Sequence, residues 1–163
     1  MTGLANRSSF QIGLGSLAEG DGGALLLVDL DGFKEINDSF GHAIGDECLK
    51  AVAGRLEHLG AEAELVARIG GDEFALLLGP GFDDERIATL AGSIVAGLRR
   101  PVDCGPQRLV FGASVGIARV GDCNASELFV HADTALYAAK AAGRNTFRMF
   151  EPATAIPGST RAA

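Results

Sequence analysis

Apolar residues along the chain fall into two rhythms, short unbroken runs and repeats of three and four. "ALLLVDL", residues 24–30, is unbroken and of strand length, which predicts a central strand covered on both faces. Ile44, Cys48, Leu49, Val52, Leu56 and Leu59 recur at helical spacing and predict an amphipathic helix over residues 43–59. Two apolar runs, residues 65–69 and 74–78, flank "GGD". Glycine supplies the positive φ of a tight turn, so these runs predict an antiparallel hairpin. Ile87, Leu90, Ile94, Val95 and Leu98 mark another helix, stopped by Pro101. "LVFGASVGIARV", residues 109–120, reads as one long strand, paired with "PVDC" before it. A third strong helix covers residues 125–142, with Ser126 or a neighbour as its N-cap and Gly143 at the C-cap. Weaker signals add a first helix in "NRSSFQIGLGSLAEG", diluted by Gly13 and Gly15, a turn with a short helix in "DGFKEINDSFGH", and a last short strand in "TFRMF". Residues 151–163 read as a linker or tail. The order α-β-α-β-β-α-β-α-β over residues 1–150 predicts one α/β domain, a central mixed or antiparallel sheet flanked by helices.

Composition narrows the function. The 163 residues suit one domain, and 47% apolar content can fill a core. No run of about 18 apolar residues occurs, so no membrane span or membrane contact is expected. The first residues lack the basic-then-apolar order of a secretion signal. Cys48, Cys104 and Cys123 are odd in number and have no CxxC spacing, which predicts free thiols in a reducing, cytoplasmic compartment and argues against a zinc site or a disulfide framework. A net charge of −7 argues against a nucleic-acid surface. An acidic protein still binds a polyanion where divalent metal and a few local cations neutralise it.

Asp29 closes the buried strand, and a charge inside is costly unless paired or on a metal. Asp72 and Glu73 sit at the hairpin. If the hairpin lies beside the strand end, these acids converge, and hard oxygen ligands suit Mg²⁺ or Mn²⁺. The other reading is that Asp72 and Glu73 decorate an exposed turn. Successive strand residues also point to opposite faces, so the two need not share a task. Other motifs fail. In "DLDGFKEINDSF" the fifth and twelfth positions of a calcium loop are Phe33 and Phe40, where oxygen ligands belong. "GLGSLA" follows no convincing strand, and no GxxxxGK[ST], zinc set or Ser/His/Asp signature is present.

"RIGGDEF", residues 68–74, stands with "TGLANR", "DLDGFKEINDSFGHAIGDECL", "ASVGIA" and "HADTALYAAKAAGRN" in an order and separation that resembles the GGDEF family of diguanylate cyclases over residues 2–150. The resemblance implies a βααββαβ core of the nucleotidyl-cyclase, ferredoxin-like type. It implies bacterial signalling through conversion of two GTP into cyclic di-GMP and two pyrophosphates, with two Mg²⁺ or Mn²⁺ per site and two domains facing each other as a homodimer. By the same resemblance, Asp29 and the carbonyl of Leu30 hold metal. Asp72 is a metal ligand and the acid beside the attacking 3′-hydroxyl, and Glu73 is a further ligand. Asn37 and Asp46 read the guanine edge, with His42 a weaker candidate. The Phe33 backbone and Lys34 approach the phosphates, and Lys140 and Arg144 grip the phosphate tail.

Guanine presents two N–H donors that match an ionised carboxylate such as Asp46, and adenine lacks that pair. Plainer readings stand beside these. Asn37 suits a turn or cap, Asp46 suits a first helical turn, and Lys140 and Arg144, four apart, suit a helix C-terminus. Arg68 is read as structural, an ion pair supporting the hairpin. A GTP-sensing module that turns over poorly, or a purely structural module, are the other function classes. "FRMFEPA" resembles the junction before an EAL phosphodiesterase domain, so a covalent EAL or sensor domain is an expected partner. The start "MTGL" lacks the acid that usually precedes this motif, and a sensor or coiled-coil stalk, which leads to an expectation of feeble activity for the isolated piece. The family's inhibitory product motif, RxxD, is replaced by "AEAE", residues 61–64, whose acids would repel cyclic di-GMP. No inhibition through this site is expected. Tight cyclic di-GMP binding in calorimetry that disappears on altering Glu64 would contradict this.

Overall fold

The computed structural model describes residues 2–152. All but the first two residues of the expected tail, 151–163, lie outside the described residues. In chain order the elements are α1 (Arg7–Ala18), β1 (Ala24–Leu30), α2 (Phe33–Phe40), α3 (His42–Leu59), β2 (Leu65–Gly70), β3 (Glu73–Leu78), α4 (Asp84–Leu98), β4 (Val102–Cys104), β5 (Gln107–Leu109), β6 (Ala113–Arg119), α5 (Ala125–Ala141) and β7 (Phe147–Met149). The main sheet has five strands in the order β2-β3-β1-β6-β7, antiparallel except for β6 with β7.

β1 lies at the centre and is buried along its whole length, as its unbroken apolar run requires. Leu26, Val28 and Leu30 join Phe74, Leu76 and Leu78 on the face covered by α2, α3 and α4. Leu25 and Leu27 join Ala75 and Leu77 on the face covered by α1 and α5. Alternation along β1 then puts Asp29 on the α5 side. No helix among the described residues is long and apolar enough to cross a membrane.

Several local expectations change. Residues 109–120 are not one strand. β5 folds back on β4 as a separate two-stranded ribbon around Gly105, whose φ is 61°, and β6 begins at Ala113. The break falls where Gly112 passes close to two other segments. A Cβ there would meet Asn145 Oδ1 at 2.9 Å and Asp31 Oδ2 at 3.0 Å. α4 starts before its first apolar residue because the Asp83 side chain caps it, accepting from the Arg86 N–H at 2.8 Å. The cap of α5 is Asn124, two residues before Ser126. It accepts from the Glu127 N–H at 2.8 Å, and Glu127 accepts from the Asn124 N–H at 2.9 Å.

The cysteine expectation is also corrected. Cys48 of α3 and Cys104 of β4 form a disulfide across a sequence separation of 56, leaving Cys123 as the free thiol. Both half-cystines are fully buried in the same cluster, a meeting made by packing and invisible in the spacing.

β6 and α5 pack backbone to backbone at Gly116. A Cβ added there would run into the main chain of Ala132 and Leu136. Gly116→Ala is therefore expected to destabilise the domain by about 2–3 kcal/mol, read from urea unfolding midpoints. An unchanged midpoint would contradict the close approach.

Candidate active site

Strand register assembles the acids. Asp29 of β1 pairs with Glu73 of β3 on one side and with Ser114 of β6 on the other. Residues directly opposite across a pair share a face, so Asp29 and Glu73 both turn toward α5. The hairpin tip is fastened to the end of β1, where the Leu30 N–H donates to the Asp72 carbonyl at 3.2 Å. Two arginines hold the tip. Arg68 donates through Nε and Nη2 to the Gly71 carbonyl at 2.9 and 2.8 Å. Arg7 of α1 donates to the Ile69 carbonyl at 2.8 Å. Arg68 is thus structural, though through hydrogen bonds to a carbonyl and not an ion pair. A bulge between Arg68 and Gly70 adds the twist that aims the turn.

The three carboxyl groups strain against one another. Burial raises the Asp72 pKa to about 6, helped by the charge of Asp29 and a hydrogen bond to it. Such a bond needs a proton on one partner, which favours the acid form of Asp72. Glu73 is also raised, first by burial and then by Asp29. Lys140, in the last turn of α5, forms an ion pair with Asp29 Oδ2. Burial pulls the Lys140 pKa down, but the hydrogen bond and charge of Asp29 raise it overall. The other oxygen, Asp29 Oδ1, is buried with no hydrogen-bond partner.

An orphaned buried carboxylate oxygen beside two acids of raised pKa fits a hard divalent cation, and Asp29, Asp72 and Glu73 are the side chains able to hold one. Among the described residues no three His, Cys, Asp or Glu side chains already converge in ligand geometry. Lys140 supplies the positive charge at Asp29 instead. The expected role of Lys140 is a grip on a phosphate tail with Arg144, and here its ammonium lies on Asp29.

Arg144 lies elsewhere, lining a cleft of about 550 Å³ with Asp31, Gly32, Arg99 and Gly112. Gly32, at φ 73°, starts α2 without a side-chain cap. The first-turn N–H groups of Phe33 and Lys34 consequently have no intrahelical partner. The Phe33 ring is buried in the core and Lys34 is exposed. Asn37 Oδ1 is buried, unpartnered, and pressed against Gly45, where any Cβ would collide with it. Asp46 follows Gly45 on α3 and is exposed, as is His42. The α2–α3 contact thus runs through Asn37 and Gly45, one residue before Asp46. At the former RxxD position, Glu62 binds Arg86 at 2.7 Å. Pattern reading gave no role to Asp31, Ser114 or Asn145. Ser114 donates to Asp31 Oδ1 at 2.7 Å, and the Asn145 N–H donates to Oδ2 at 2.9 Å. Only the repeated acid in "DLD" hinted at Asp31.

The fold and the acid cluster are those of a nucleotidyl-cyclase-like domain, and the comparisons narrow this to a family. The family description "Diguanylate cyclase, GGDEF domain" matches residues 1–146. The chain belongs to the GGDEF domain family. It is similar to the probable diguanylate cyclase DgcE of Escherichia coli, 38% identical over all of this chain and 15% of that protein. It is also similar to the cyclic di-GMP phosphodiesterase PdeR of Escherichia coli, 35% identical over 93% of this chain and 24% of that one. The chain thus spans under a quarter of either relative. The solved GGDEF domain of TpbB (YfiN) from Pseudomonas aeruginosa superposes with a TM-score of 0.86 at 35% identity, over 92% of both chains.

Asp72 titrates higher in the fold than in the unfolded chain. Its contribution to stability is complete below about pH 4 and is lost as pH rises through about 6. In metal-free solution Asp72→Asn should melt higher than the parent near neutral pH, and the gap should close as pH falls through about 6. Mg²⁺ or Mn²⁺ should narrow the gap at neutral pH. A gap independent of pH and metal in thermal melts would contradict this electrostatic account.

Proposed function

We propose that this domain condenses two GTP into cyclic di-GMP and two pyrophosphates. The observation that carries the reading is the buried, unpartnered Asp29 Oδ1 at the end of β1, with the Asp72 and Glu73 carboxyls raised by burial and by the charge of Asp29, just before the α2 N-terminus. Asp29, Asp72, Glu73 and the Leu30 carbonyl would hold Mg²⁺ or Mn²⁺, two per site. When bound, the ions would lower the pKa of the 3′-hydroxyl and offset charge on the departing pyrophosphate. The chain's own part is positioning and proton handling. Asp72 takes the proton of the attacking hydroxyl. Asn37 and Asp46 accept from the guanine N–H groups, and His42 borders that edge. The N–H groups of Phe33 and Lys34, the Lys34 ammonium and Arg144 neutralise phosphate oxygens. Lys140 balances the charge of Asp29 within the acid cluster.

One domain binds one GTP, so the product requires a homodimer with facing sites. In a longer protein the domain would work in the cytoplasm under a sensor or beside an EAL domain. Position 61 lacks the motif's arginine, and the nearby Arg86 is paired with Glu62, which weakens any grip on product there. A second reading, a GTP-binding regulator that turns over poorly, draws on the similarity to PdeR.

Incubation with GTP and Mg²⁺ or Mn²⁺ at several protein concentrations should yield cyclic di-GMP with a rate that rises more steeply than in proportion to protein. Asp72→Ala should lower that rate at least about 100-fold. GTP bound but left intact by the parent would favour the regulatory reading, and no binding would sink both.

A further inference from the structure

Asp31 sits between the end of β1 and the start of α2, and both its carboxylate oxygens are occupied by the protein. Oδ1 accepts from the Ser114 hydroxyl at 2.7 Å and Oδ2 from the Asn145 N–H at 2.9 Å. The Asp31 N–H donates in turn to the Gly112 carbonyl at 2.9 Å. Ser114 is fully buried on β6. One side chain thus ties the β1–α2 turn, the head of β6 and the segment after α5.

That last segment is strained. Among the described residues, Arg144 and Asn145 are the two non-glycine positions with positive φ, at 64° and 49°. L-residues hold this conformation only where the surroundings impose it. The hydrogen bond from the Asn145 N–H to Asp31 Oδ2 is such an imposition. Gly112 completes the clasp, since a Cβ there would press on both Asp31 Oδ2 and the Asn145 side chain.

We propose that Asp31 is a positioning residue. Its carboxylate holds the left-handed Arg144–Asn145 turn and thereby presents the Arg144 guanidinium to the cleft at the α2 N-terminus, where it receives the triphosphate of GTP. This rests on the nucleotide reading above and adds a specific cause for the placement of Arg144. A ligand role on the cation is not assigned to Asp31, because neither of its oxygens is free.

The test uses the 163-residue chain. Asp31→Asn turns one acceptor into a donor facing another donor, and Ser114→Ala removes one bond of the two. Amide hydrogen exchange at Asn145 should accelerate about tenfold in Asp31→Asn and less in Ser114→Ala. Affinity for a non-hydrolysable GTP analogue with Mg²⁺, by calorimetry, should fall about tenfold in Asp31→Asn and less in Ser114→Ala. In an Arg144→Ala background the Asp31→Asn loss of affinity should vanish, because the two substitutions act through one contact. A purely structural role would lower the melting temperature and leave the two effects additive. Unchanged Asn145 exchange, or additive losses, overturns the proposal. Ser114→Ala carries the same measurements should Asp31→Asn fail to fold. If the parent binds no analogue, the nucleotide reading falls and takes the purpose of the clasp with it. If the parent binds and Asp31→Asn binds equally well, only the role of Asp31 falls.

Discussion

The partial burial of Asp72 and Glu73 beside the charge of Asp29 is the constraint around which the site is arranged. Burial penalises the charged forms of Asp72 and Glu73, and the charge of Asp29 raises both further. One ammonium, Lys140, answers part of it. A group of like charges persists in a fold only where the surroundings leave it no room to separate. The site is therefore a place where local stability is lower than the sheet around it could provide, and a cation is the group that would relieve it.

What prevents separation is hydrophobic. β1 is buried on both faces, so Asp29 cannot slide without dragging Leu25, Leu26, Leu27 and Val28 out of two packed layers. The register with β3 is held by the alternating pairs that bring Leu27 against Ala75 and Val28 against Phe74. A slip by one residue would turn every apolar side chain of β3 to the wrong layer. Arg7 and Arg68 then fix the short turn that the sheet itself does not reach. Packing decides where the acids are, and hydrogen bonds to carbonyls decide how the tip is aimed.

Features encoded by local period were legible in the sequence. The run from Ala24 to Leu30, the helix through Cys48 and Val52, and the hairpin around "GGD" all appear as read, because each depends on neighbours within a few residues. Features made by distant contacts were not. The break at Gly112 depends on Asn145, and the Cys48–Cys104 bond depends on how β4 packs on α3. The candidate site divides the same way. Composition left Asp72 and Glu73 open between a turn and a ligand set, and the family resemblance named them. Neither route showed that Lys140 would face Asp29, or that Asp31 would be consumed by Ser114 and Asn145.

The end of α5 explains why two cations four residues apart serve different places. In a continuous helix Lys140 and Arg144 would lie on one face and compete for one anion. The helix instead ends at Ala141, and Gly143 at φ 112° reverses the chain before Arg144. Lys140 stays in register with the sheet and points at the acids, where its charge opposes theirs. Arg144, beyond the helix end, follows a left-handed path to the cleft by α2. The same short stretch thus supplies a counter-charge to the acid cluster and a guanidinium to the cleft beside α2. The division is made by backbone conformation and not by the spacing of the charges.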